Sequence, residues 1–172
     1  METDRQQGTI VQFAGRRDAM RFPAESEVRA YWEALRRGRK VPLRADIDPR
    51  GIERALEYAF ILERVAPRIA RFRLAGMHLS DLMGMEVRGM PMTTFFAPRA
   101  RTEVGDMLDS VFRAPAIAEM RLVAETGFGK PALEARLVIL PLQSDLGDVS
   151  RAIGCLVADG LIGRAPRRFE IA

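Results

Sequence analysis

The chain has 172 residues, 48% of them hydrophobic and 29% charged, with a formal net charge of +4 and a single cysteine, Cys155. That length suits one domain with a modest extension, and one cysteine excludes a disulfide framework and fits a reducing compartment. No apolar run approaches the roughly 20 residues of a membrane span. The positive charge is arginine scattered among acids, not gathered on one face as nucleic-acid binding requires.

Residues 1–24 are polar, with a short apolar patch at Ile10, Val11 and Phe13, and read as a flexible leader. No signal-peptide core is present, so the expected location is cytoplasmic. Ser26 is the candidate N-cap of a helix over 26–37, with Glu27 in its first turn. Val28, Tyr31, Trp32 and Leu35 recur at i, i+3, i+4 and i+7 as one apolar stripe. Arg36, Arg37 and Gly38 mark the end of that helix. The stripe either closes over its own domain or meets the same helix of a second copy. RRGRK (36–40) lacks interleaved aromatic residues and reads as a solvated, dipole-complementing helix end.

Asp48 and Pro49 open a short helix whose Ile52, Ala55 and Leu56 face inward. AFILERV (59–65) and RFRLAG (71–76) flank a Pro67 turn and form a hairpin, Phe72 and Leu74 alternating with Arg71 and Arg73. Residues 77–115 form a helical insert. Its first helix carries Leu79, Leu82 and Met83 and stops at Gly84, and TTFF (93–96) makes a further turn. A longer helix from about Pro98 to Arg113 is striped by Val104, Met107, Leu108 and Val111, and Pro115 ends it. Met77, Met83, Met85, Met90 and Met92 crowd this insert. Flexible and polarizable, they suit a core or an adaptable surface; Met83 and Met120 read as core, Met85, Met90 and Met92 as a mouth or contact.

Three strands follow over 116–158, linked by GFGK and QSDLGD. Met120, Leu122 and Ala124 alternate on the first, Leu133, Ala135, Leu137 and Ile139 on the second, and Ile153, Cys155 and Val157 on the third. Such short links require antiparallel neighbours. Residues 159–172 are a Gly/Pro-rich tail with room for one short added segment. Nothing here carries catalysis. One histidine, His78, and one cysteine form no triad, metal-ligand spacing is absent, and Asp106 and Asp109 read as a solvated helix face.

Two strands, a helical insert closed by a longer helix, then three strands is the element order of a PAS domain. The segments YWEALRRGRKVPLRADIDP (31–49), FRLAG (72–76), DLMGMEVRG (81–89) and RAIG (151–154) resemble the stand-alone PAS family of alphaproteobacteria. The resemblance spans about residues 28–158. It implies an α+β fold over 25–158: a five-stranded antiparallel sheet of order 2-1-5-4-3, a helical insert over one face and the N-terminal helix as a flank. It also implies a sensory or regulatory role without catalysis, with output passing to a partner protein in trans. A homodimer through Val28, Tyr31, Trp32 and Leu35 is implied too, while the scattered charge and the short apolar runs leave no nucleic-acid or membrane partner expected.

A ligand between sheet and insert would meet Phe72, Leu74, Met77, Leu82, Met83, Phe95, Val104, Leu108, Met120, Leu137, Ile139 and Cys155, an apolar lining suited to a small apolar molecule. Flavin is disfavoured, because the insert lacks the reactive cysteine of flavin photosensors. Haem is disfavoured because the long helix lacks histidine. A ligand-free interaction and dimerisation module is the alternative.

Overall fold

A computed structural model describes residues 21–172. The expected leader patch at Ile10, Val11 and Phe13 lies outside the described residues. The strands are β1 (Ala59–Ala66), β2 (Ile69–Ala75), β3 (Ala118–Ala124), β4 (Glu134–Leu142), β5 (Arg151–Asp159) and β6 (Phe169–Ile171). They form one antiparallel sheet of order β2-β1-β5-β4-β3-β6. The PAS arrangement expected from the sequence is therefore present, with one strand more than the expected five.

The added strand comes from the tail. Leu122, Val123 and Ala124 pair with Ile171, Glu170 and Phe169. The N–H of Arg167 donates to the Leu82 carbonyl, and Phe169 is fully buried. Residues 159–172 are thus part of the domain. Three residues are too few to display a period of two, so the pattern gave no warning.

Both faces of the sheet are covered. The inner face packs against α2 (Met77–Met83), a 3₁₀ turn at Met92–Phe95 and α3 (Arg101–Arg113). The outer face packs against α1 (Pro23–Arg36) and a 3₁₀ segment at Pro49–Tyr58. Double coverage explains why β4 is buried at every position after Glu134: Leu137 and Ile139 enter the inner core, Val138 and Leu140 the outer one. Gly154 permits a close approach across the sheet. A Cβ there would come within 2.2 Å of the Phe60 ring.

The N-terminal helix begins at Pro23, earlier than the Ser26 start expected. Pro23 occupies N1, where its fixed φ and missing N–H cost nothing, and Glu25 sits in the first turn. Arg37 and Gly38 take left-handed conformations and end it. Asp48 accepts the Arg50 N–H at 3.0 Å and starts the Pro49–Tyr58 segment as expected. Among the described residues, no helix is long and apolar enough to cross a membrane.

Candidate functional site

The inner face of the sheet gathers most of the expected pocket residues. Phe72 comes from β2, Leu82 and Met83 from α2, and Phe95 from the turn after it. Val104 and Leu108 come from α3, Met120 from β3, and Leu137 and Ile139 from β4. All nine belong to one buried cluster. The Phe72 ring meets Phe60 and Phe95 edge-to-face, each at 5.4 Å between centroids, a favoured aromatic geometry. Phe60, Met92, Phe96, Phe112 and Phe169 also belong to the cluster and were missed as lining residues. TTFF carried a signal for Phe96. Phe169 had none, because it reaches the core only through the added strand. Met92 is core, Met90 half-buried against it, and Met85 exposed.

Three expected pocket residues lie elsewhere. Leu74 is 51% exposed on the outer face, not beside Phe72. Ile61 pairs with Leu74 and Leu62 with Phe72, leaving Arg73 as an extra residue on β2. That β-bulge breaks the two-residue period and turns Leu74 to the opposite side. Met77 is the first residue of α2 and is 72% exposed. Cys155 is buried in the outer core with Ile153 and Val157, since its β4 partner Val138 also faces outward.

The expected dimer contact is used within the chain. Val28 and Trp32 are buried in the outer core, and Tyr31 packs against it. The Trp32 indole N–H donates to the Pro141 carbonyl at 2.8 Å. The Tyr31 hydroxyl accepts the Asp48 N–H at 2.7 Å. Leu35 is half-buried. Arg29 of α1 pairs with buried Glu119 of β3, and Arg21 reaches Glu134 and Asp159 at 3.0 and 2.7 Å. The apolar stripe therefore closes over its own sheet.

Coverage of the outer face is uneven. Helix α1 lies over β4 and β5, whereas the outer side of β1 packs against the Pro49–Tyr58 segment at one end. Beside that segment opens a cavity of about 210 Å³, lined by Ile47, Ile52, Leu56, Ile61, Leu74 and Ile153 with Arg44 at its margin. A second hollow of about 530 Å³ shares Arg44 and Leu74 and adds Glu63, Val65, Arg71, Arg73 and Arg88. Together they form a trough, apolar at one end and cationic at the other.

His78 and Cys155 are both packed into the structure. His78 Nε2 accepts the Ala158 N–H at 3.1 Å, and its ring meets Tyr58 edge-on at 4.8 Å. Burial draws its pKa below the ordinary 6.5, so the neutral imidazole is the form that fits. Burial pushes the Cys155 thiol well up, helped by the charges of Glu25 and Glu27, which removes its nucleophilic form. Among the described residues, no group of three or more His, Cys, Asp or Glu could hold a metal ion.

A curled antiparallel sheet with a helical insert between its second and third strands defines the PAS class. A protein-family model described as "PAS domain" matches residues 20–157, and the chain belongs to that family. No curated protein matches the sequence. Among solved structures, a fungal LOV domain photoreceptor is similar at TM-score 0.46 and 18% identity, over 83% of this chain and 99% of that one. The dark structure of the blue-light photoreceptor Aureochrome1 LOV gives 0.46 and 15%, over 65% and 84%. An RNA-binding Light-Oxygen-Voltage receptor gives 0.45 and 16%, over 67% of this chain but only 35% of that one. At such identities and scores the likeness says nothing about activity.

Proposed function

We propose that this PAS domain is a regulatory module with a filled interior, acting by contact with a partner protein and not by catalysis. The observation that supports it most is the Phe60, Phe72 and Phe95 cluster, whose rings meet edge-to-face where a ligand between sheet and insert would lie. Nine of the residues expected to line a pocket pack against one another there. A flavin ring does not fit among them without displacing that cluster. Haem finds its one candidate histidine turned to the Ala158 amide. A small apolar ligand would likewise need several aromatic side chains to move. The ligand-free alternative is therefore preferred to the ligand sensor.

Regulation in this reading passes to another polypeptide in the cytoplasm; a lone buried thiol suits a reducing compartment. Dimerisation through α1 is not part of the proposal, because its stripe is already covered. Native mass spectrometry beside the denatured sample tests the filled interior. The expected native mass is that of the polypeptide or a whole multiple of it. A small molecule retained in the native protein and released on denaturation would overturn the reading.

A further inference from the structure

We infer that the open outer face of β1 and β2 is a docking trough for an acidic segment of a partner protein, anchored by branched apolar side chains. This rests on the reading that the domain acts through protein contacts, and it names the surface and the partner's chemistry. Leu56, Val65 and Leu74 are 44%, 50% and 51% exposed, and all three line the trough. Exposed apolar side chains that share one groove mark an interaction site more often than singly scattered ones do.

Charge selects the occupant. Arg44, Arg71, Arg73 and Arg88 line the trough, against Glu63 alone among its lining acids. Glu63 is engaged by Arg73 at 2.9 Å and Arg151 at 3.4 Å, and nearby Glu86 approaches Arg88 only to 3.9 Å. Arg44 and Arg71 have no carboxylate within ion-pair distance among the described residues. The trough therefore carries surplus positive charge at the mouth of an apolar hollow, and its complement is an apolar anchor flanked by carboxylates. Size points the same way. The 530 Å³ hollow is lined mostly by charged side chains, unlike the apolar lining of small-molecule sites, and the 210 Å³ apolar hollow falls below their roughly 300–1,000 Å³. The apolar hollow admits one or two branched side chains, while the cationic hollow beyond accepts the acids that follow. The trough's aromatic residues, Phe60 and Phe72, are both buried, so no stacking platform for a nucleic-acid base is offered.

The test is selection of peptides of about 15 residues from a random display library against the full chain, followed by affinity measurement on the enriched sequences. Expected are peptides carrying Leu, Ile or Val beside Asp or Glu. Their binding should weaken about tenfold or more with Leu74→Asp and with Arg44→Glu. Both positions lie outside the two cores, and unchanged circular dichroism confirms that the variants fold. Exchanging Glu for Lys in the peptide should restore binding to Arg44→Glu. No enrichment, or enriched peptides without acids, overturns the inference. So does self-association of the free chain that Leu74→Asp abolishes, which assigns the face to a second copy. Peptides that bind both variants undiminished remove the trough yet leave the protein-contact reading intact. A small molecule retained in the native protein removes the filled interior instead.

Discussion

The indole N–H of Trp32, on the N-terminal helix, donates to the main-chain carbonyl of Pro141 at 2.8 Å. Pro141 lies in β4 beyond the last β3 pair, Ala118 with Ile139, so its carbonyl needs a donor from outside the sheet. Trp32→Phe keeps most of the packing but leaves that carbonyl buried and unpaired, and should cost about 1–3 kcal/mol in urea unfolding. Trp32→Asp buries a charge as well and should unfold the domain. A Trp32→Asp protein that stays folded but falls from dimer to monomer would return the helix to a subunit seam.

Phe95 is fully buried and touches Phe72 edge-to-face. Phe95→Ala should destabilise by about 3–5 kcal/mol, through lost burial and the cavity left behind. Such a cavity, lined only by apolar groups, stays dry and takes a small aromatic molecule. Benzene should therefore raise the melting temperature of Phe95→Ala while leaving the unsubstituted protein unmoved. An equal rise in both would mean that the native core already has room for a ligand.

His78 makes stability depend on pH. Its folded-state pKa lies below the ordinary 6.5 because burial disfavours the imidazolium, with smaller opposing effects from Glu57 and Asp81. The unfolded chain then binds more protons between the two values, so stability rises with pH across that window. The contribution is complete above about pH 6.5 and is lost as pH falls through the folded value. Urea midpoints measured from pH 8 to pH 5 should fall more for the unsubstituted chain than for His78→Gln. Parallel profiles would show that the imidazole is not the titrating group.

Arg167 is fully buried, and its guanidinium donates to the carbonyls of Ile162, Glu125 and Pro131. It ties the tail to the β3–β4 hairpin, so that Phe169 can enter the core. Arg167→Met should strand those carbonyls and cost at least about 2 kcal/mol. Arg167→Lys should rescue little, because one ammonium cannot span three carbonyls fixed to a planar fork. Amide exchange should quicken at Phe169–Ile171 before it does in β4. Uniform quickening would mean that Arg167 supports the whole core and not the tail in particular.

Much of this architecture was legible because burial leaves a period in the sequence. Val104, Met107, Leu108 and Val111 face the inner core as their spacing implied, and Leu137 and Ile139 alternate as a strand should. Legibility failed where an element broke its own period or was too short to have one. Arg73 adds one residue to β2 and sends Leu74 to the wrong side of the expected site. Cys155 shares its face with Ile153 and Val157 as expected, but alternation says only which residues share a face, never which face meets the insert. The trough was invisible for a different reason. Arg44, Leu56, Leu74 and Arg88 come from four separate segments, and only the fold makes them neighbours.

Leu137 and Val138 are consecutive in the chain, yet their side chains belong to different cores. The sheet is thus a partition with furnished rooms on both sides, and its central strands have no spare face. Neither room can be emptied while the partition stands undisturbed, because β4 and β5 supply walls to both. The domain should therefore melt as one cooperative unit, and repacking against Leu137 should register in the protection of amides behind Val138 and Leu140. In such a design the peptide planes themselves carry news from one side to the other.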